Sequence, residues 1–320
     1  MRPRPVLLAA LTLGLVLPVV PGHGSPADAA VEPAQPRPVY QEYVSLGDSW
    51  SADVKLLDLH GLPDARHAPL DCAQSQTNYP KLLAKELRVK VHRDATCGSA
   101  TTDDFYRPQS GLPAGGTNPA QFDRLTKKTD LVTIGIGGND AGISSAALSC
   151  LNALPVGIVL PAGVPSGLPL GGCKERLTKG GVDQLARNIR LARPKLVRAI
   201  REVRRRSPKA RILMVDYLAA VAPRGCYPRV PMTDPDMRYL HATFLKLNAM
   251  VRRAARIGGA EFVDTYRATL GHDVCQGPLT RYAEVLGVSL NGVSVGIPAH
   301  PNPAGARAQF RAVLAQVRKR

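Results

Sequence analysis

Aromatic side chains are scarce in this chain, at 5% of 320 residues with a single Trp. Acids are also few: 25 Asp and Glu stand against 42 Lys and Arg, for a net charge of +17. So basic a chain invites comparison with nucleic-acid binders, which interleave cations with stacking rings. Between residues 187 and 211 there are eleven Lys or Arg, one acid (Glu202) and no aromatic residue. Nucleic acid is therefore not an expected partner. The stretch reads as a solvated helix face, with attraction to anionic surfaces such as phospholipid or cell-wall polymer as the functional alternative.

Paired cysteines are missing too. Cys72, Cys97, Cys150, Cys173, Cys226 and Cys275 stand far apart, with no C-x-x-C. Zinc and thiol-redox chemistry thus lack support, and neither a metal nor a cofactor is expected. Past the N-terminus no apolar run is long enough to span a bilayer, so no transmembrane segment is expected. At the N-terminus itself, Arg2 and Arg4 precede an almost wholly apolar run over 6–20, and Ala27-Asp28-Ala29 offers a small-residue cleavage site. The expectation is an export signal over 1–30, a Pro-rich flexible linker over 31–39 and one domain over 40–320, secreted and monomeric. A domain of that size can bury a full core. In an exported chain an even cysteine count suggests disulfides. Six cysteines allow fifteen pairings. Pairing of sequence neighbours, Cys72–Cys97, Cys150–Cys173 and Cys226–Cys275, would staple one long loop each, where loop closure is entropically costly in the unfolded chain.

What the chain does have is a set of strand ends bearing reactive groups. A buried-strand pattern over 43–46 stops at Gly47-Asp48-Ser49, which presents a hydroxyl among small residues. A continuous apolar run over 130–136 leads into Gly137-Gly138-Asn139-Asp140, and His300-Pro301 opens the last helix. Hydroxyl, amide and imidazole are the parts of a serine hydrolase. Further strands are expected over 89–92, 211–217 and 261–264. Helices are expected over 78–87, 182–206, with Pro194 inside, 236–257, stopped by Gly258-Gly259, and 303–317, capped by Asn302. Strands alternating with helices imply a parallel sheet between helix layers, with the site beyond the carboxyl ends of the strands. Residues 141–181 fit no crossover. The apolar run 151–170 inside them is either an acyl-binding loop or a surface excursion held by its disulfide.

In this order the motifs resemble those of the GDSL-type (SGNH) hydrolases, above all the secreted three-disulfide esterases and lipases of actinobacteria. They are Gly47-Asp48-Ser49-Trp50, Cys97-Gly98-Ser99-Ala100-Thr101-Thr102, Gly137-Gly138-Asn139-Asp140, Gly271-His272-Asp273-Val274-Cys275 and His300-Pro301-Asn302-Pro303-Ala304-Gly305. The likeness spans nearly all of 40–318. It implies an α/β fold, a three-layer α/β/α sandwich on a flavodoxin-like five-stranded parallel sheet. It implies that Ser49 is the nucleophile and His300 its general base. The oxyanion donors map to the backbone N–H of Ser49, the backbone N–H of Ser99 and the Asn139 side chain. Two departures stand out. The second motif reads Gly98-Ser99-Ala100 where relatives read Ser-Gly-Ala, so Gly98 is an alternative donor. Where many relatives carry an Asp three residues before the histidine, this chain has Ile297, whose carbonyl is the first candidate to orient the ring. Asp264 and Asp273 are outside candidates for that role, and His272 is an outside candidate for the base. The implied activity is hydrolysis of lipid or other acyl esters through an acyl-serine. The alternatives are a polysaccharide acetyl esterase and a catalytically inactive cell-surface binding protein of the same fold.

Overall fold

The computed structural model describes residues 39–151, 172–284 and 287–319. The expected export signal and all but the last residue of the linker lie outside the described residues, as does most of the run 151–170.

In chain order the first elements are β1 (Glu42–Gly47), α1 (Ser49–Ala52), β2 (Lys55–Asp58), α2 (Tyr79–Leu87), β3 (Val91–Asp94) and β4 (Leu131–Gly135). Then come α3 (Ile143–Ser149), α4 (Cys173–Leu177), α5 (Gln184–Arg206), β5 (Arg211–Val215), α6 (Asp234–Gly258), β6 (Glu261–Val263) and α7 (Thr265–Ala268). The chain closes with β7 (Ala283–Glu284), β8 (Val288–Ser289), β9 (Ser294–Gly296), β10 (His300–Pro301) and α8 (Pro303–Arg318). The central sheet runs β3-β1-β4-β5-β6, all parallel. Counted within the sheet this is the flavodoxin-like order.

The three central strands β1, β4 and β5 are buried almost throughout because helices cover both faces of the sheet. Val44, Leu46, Val132, Ile134, Ile212 and Met214 pack toward the stripes of α5 (Leu185, Ile189, Leu196, Ile200) and α6 (Leu247, Val251). Tyr43, Leu131, Leu213 and Val215 pack toward α2 through Leu83 and α8 through Val313, Leu314 and Val317. Each aliphatic side chain so buried contributes about 1.5–3 kcal/mol. The helix ends follow the sequence signals. Asp183 accepts from Ala186 N–H at the start of α5, left-handed Gly259 ends α6, and Asn302 accepts from the N–H of Ala304 and Gly305. The helix α5 continues through Pro194.

Two strand boundaries move. β3 starts at Val91 because Arg88 and Val89 send their N–H groups back to Ala84 and Lys85 as the end of α2. β5 stops at Val215 because both backbone groups of Tyr217 bond to the Asn248 amide instead of a neighbouring strand. The short strands have no counterpart in the sequence reading. β2, β9 and β8 form a small antiparallel sheet, and β7 pairs with β10. Cys72–Cys97, Cys150–Cys173 and Cys226–Cys275 are bonded, the neighbour pairing expected. Among the described residues no helix is long and apolar enough to cross a membrane.

Candidate active site

The site lies where the sheet order reverses, between the carboxyl ends of β1 and β4, the usual crevice of such sheets. Gly47 closes β1 under a tight constraint. A Cβ there would lie 2.5 Å from Ser51 Oγ and 2.6 Å from the Gly135 carbonyl. The glycine thus permits close approach of β1 to β4, and the left-handed residue of this turn is Asp53, at φ 50° after α1. Asp48 caps α1 by accepting from Trp50 N–H at 3.0 Å, and its other oxygen accepts from Tyr217 Oη at 2.5 Å. Tyr217 Oη in turn accepts from Gly138 N–H at 2.7 Å. Burial pushes the Asp48 carboxyl up to about 7, against those hydrogen bonds.

Ser49, first in α1, is buried at the floor of the cleft, and its Oγ lies 2.7 Å from His300 Nε2. On the other side of the ring, Nδ1 lies 2.8 Å from the Pro298 carbonyl. A carbonyl can only accept, so Nδ1 carries the proton and Nε2 is left to accept from the serine hydroxyl. The expected Ile297 carbonyl is therefore displaced by its neighbour: the bond forms one residue later, because left-handed Ala299 (φ 61°) turns the chain back on itself. The Ile297 carbonyl adds a smaller influence of the same sign on the ring.

The turn that carries His300 is fixed from both sides. Ala299 N–H donates to the Glu284 carbonyl at 2.7 Å, and His300 pairs with Glu284 across β7 and β10. From the other side Lys55 Nζ, itself buried, donates to the Pro301 carbonyl at 2.9 Å and to Asp53 Oδ1 at 2.6 Å. Burial pushes the His300 imidazole down to about 4, and the Lys55 charge pushes the same way against the Pro298 carbonyl.

Opposite His300, Ser99 sits in the left-handed region at φ 62°. Gly98 N–H is committed to the Cys72 carbonyl at 3.2 Å, so the alternative donor is already in use. Among the described residues the N–H groups of Ser99 and Ser49 have no acceptor. The Asn139 amide is locked in orientation: Nδ2 donates to the Ala100 carbonyl at 2.9 Å, and Oδ1 accepts from Ser144 Oγ at 2.7 Å. One Nδ2 proton remains for the cleft. The neighbouring Asp140 ties this strand end to the Ser99 loop through Thr102 N–H and Oγ1. Two backbone N–H groups and one amide beside a serine–imidazole pair form a set that can hold an oxyanion as it develops.

The cleft above has a volume of about 470 Å³. Its walls are Val54, Leu56, Leu62, Leu70, Leu112 and Ile297, with no Phe, Tyr or Trp among the described lining residues. The described walls come from the segments after β1 and β3 and, through Ile297, from the turn after β9; the expected acyl-binding loop, over 152–170, lies outside the described residues. The outside candidates are engaged elsewhere. Asp264 caps α7 and pairs with Arg252, Asp273 accepts from Cys275 N–H, and His272 stacks on Tyr282 while bonding the Thr280 carbonyl. Pro298, Lys55, Asp53 and Ser144 were not marked by the sequence. Pro298 acts through its backbone, Lys55 through a contact of long range, and Asp53 and Ser144 through side-chain bonds to near neighbours, and none sits in a motif of its own.

The model of the GDSL-like Lipase/Acylhydrolase family matches residues 45–308. The chain belongs to that family. It is accordingly a carboxylic ester hydrolase. Among curated relatives it is similar to Lipase 2 of Streptomyces coelicolor, 37% identical over 309 residues covering 95% of each chain. It is also similar to an esterase of Streptomyces scabiei, 27% identical over 336 residues, covering 98% of this chain and 94% of the relative. Among solved structures, phospholipase A1 from Streptomyces albidoflavus superposes with a TM-score of 0.64 at 23% identity, covering 87% of this chain and 99% of that one. At that identity the superposition speaks for the fold alone.

Proposed function

We propose that the chain is an exported serine esterase of the lipase kind, in which Ser49 attacks acyl esters and His300 moves the proton. The observation that carries this is the 2.7 Å contact between Ser49 Oγ and a His300 Nε2 held proton-free by the Pro298 carbonyl, at the floor of an apolar cleft. As Oγ attacks the ester carbonyl, its proton passes to Nε2. The carbonyl oxygen becomes negative and is met by the N–H groups of Ser49 and Ser99 and the free amide proton of Asn139. Nε2 then gives its proton to the departing alkoxide, leaving an acyl-serine. Water attacks this ester by the same steps in reverse, and the carboxylic acid leaves. The Pro298 carbonyl orients the ring but offers the imidazolium less than a carboxylate would.

The aliphatic walls favour an alkyl chain over a sugar, which supports acyl esters over the polysaccharide acetyl ester reading. The close serine–imidazole pair argues against an inactive binding protein. Initial rates on p-nitrophenyl esters from acetyl to palmitoyl test the proposal. Ser49→Ala should abolish release of p-nitrophenol, with the optimum at a medium or long chain. Equal rates from both proteins would end it.

A further inference from the structure

The small sheet beside the cleft is built inside out. Its register sets Leu57 opposite Val295 and Val295 opposite Val288, so these three form one row across β2, β9 and β8. The next row is Asp58, Ser294 and Ser289. A sheet against a core buries its apolar row and wets its polar one, since side chains alternate between faces. Here the polar row is buried: Ser289 is 1% exposed, Ser294 5%, and the Asp58 carboxylate is engaged by His60 N–H and Ser75. The apolar row is the wet one. Leu59, Leu290 and Val293 extend it into the adjoining turns, and the six side chains are 40–75% exposed. Isolated exposed aliphatics are ordinary; an ordered face of them is not.

This face runs into the mouth of the cleft. The register slips between Lys55 and Leu57, leaving Leu56 as the bulged residue. Leu56 lines the cleft while half exposed, and Leu62 and Leu70 do the same. At the far edge, the Arg307 guanidinium lies against Gly292, in the turn between Leu290 and Val293. Arg311 follows one turn later on α8; both are exposed and have no acidic partner among the described residues. An apolar face continuous with an acyl cleft and edged by cations matches one kind of partner, an aggregate of amphiphiles with anionic headgroups.

We propose that the face of β2, β9 and β8 seats the protein on an anionic lipid surface, with Leu57, Val288 and Val295 entering the acyl layer and Arg307 and Arg311 meeting headgroups. The cleft mouth then opens onto the layer that holds the substrate. The inference rests on the acyl-ester reading of the cleft.

The test separates binding from chemistry. Ser49→Ala protein, purified from the medium of a secreting host so that it cannot consume the lipid, is floated with vesicles of phosphatidylcholine alone and of phosphatidylcholine with phosphatidylglycerol. It should float with the mixed vesicles. Adding Leu57→Ser, Val288→Ser and Val295→Ser should weaken that binding at least about tenfold, since three apolar side chains no longer leave water. Arg307→Gln with Arg311→Gln should weaken binding to the mixed vesicles and flatten its salt dependence while leaving binding to phosphatidylcholine unchanged. With Ser49 intact, the triple serine variant should match wild type on soluble p-nitrophenyl acetate. That last assay reads the hydrolase chemistry alone, so its failure is distinct from failure to float. No flotation of the Ser49→Ala protein, or equal flotation of the triple variant, overturns the proposal. So does a concentration-dependent dimer that the triple substitution dissolves without changing flotation, which would assign the face to a second copy.

Discussion

Lys55 donates to the Pro301 carbonyl from beneath the cleft, one residue past His300. The lysine is 1% exposed, and Asp53 is its ionic partner. Lys55→Met leaves Asp53 buried without its cation and the histidine turn without its tether. Loss of one partner of such a pair costs about 3–5 kcal/mol. Part of this is offset as Asp53, already pushed up by burial, takes a proton. Removing the cation also relieves the downward push on His300, so the acid limb of kcat/KM should move to higher pH. Denaturant unfolding together with a pH–rate profile checks both; an unmoved limb with full stability would contradict the role.

The wild-type profile has its own expectation. In the proposed mechanism the base works as the neutral imidazole, and burial pushes His300 down to about 4 from 6.5 for the free side chain. Activity on a soluble ester should therefore persist as pH falls below 6.5 and fail toward 4. Over the same window the unfolded chain binds more protons than the folded one, so stability should decline as pH falls. A limb in kcat/KM at or above 6.5 would show that the ring is not held as described.

Ser144 is the readout of a different relationship, the orientation of the Asn139 amide. Asn139→Ala should lower kcat by about 10²–10³, as for other lost oxyanion donors. Ser144→Ala keeps the amide but frees it to turn, so it should lower kcat less, with KM for a soluble ester nearly unchanged. A Ser144→Ala enzyme with wild-type kcat would mean the Ala100 carbonyl alone fixes the amide.

Ser99 holds a left-handed conformation at φ 62°, which costs a residue with a Cβ about 1–2 kcal/mol. Ser99→Gly keeps the N–H and removes the strain, though glycine also loses more freedom on folding. Activity should stay within about threefold of wild type and Tm should hold or rise. A large fall in kcat would show that the Ser99 side chain, not its backbone, serves the site.

Tyr217→Phe removes the donor to Asp48 and strands Gly138 N–H inside the protein. Two buried groups lose a partner, at about 1–3 kcal/mol for each. The Tyr217 hydrogen bond lowers the Asp48 value, so its loss should raise that carboxyl further. Calorimetry across pH should show the deficit.

The core of the parallel sheet was legible because β1, β4 and β5 are buried on both faces and read as short, largely apolar runs. Ser49 after β1 and Asn139 after β4 were legible at the ends of such runs, whereas Ser99 after β3 was placed by its motif and His300 by its position at the start of α8. What stayed hidden has a common cause. Pro298 acts through a carbonyl that every residue has, and only the left-handed turn at Ala299 selects it over Ile297. Lys55 looks like a surface charge until the fold buries it 246 residues away from the carbonyl it holds. The strands β2, β8 and β9 are two to four residues long, and their apolar positions face outward, the reverse of the pattern by which a strand is recognised.

The Cys72–Cys97 bond joins two parts of the cleft that differ in purpose. Leu70 stands just before one sulfur and Ser99 just after the other, and Gly98 N–H reinforces the link to the Cys72 carbonyl. In the proposed reading, the wall that would touch an alkyl tail and the turn that would meet the carbonyl oxygen are thus tied together as one piece. A tail too bulky for the wall would drag the donor out of line, so discrimination by tail length should be felt in turnover more than in affinity.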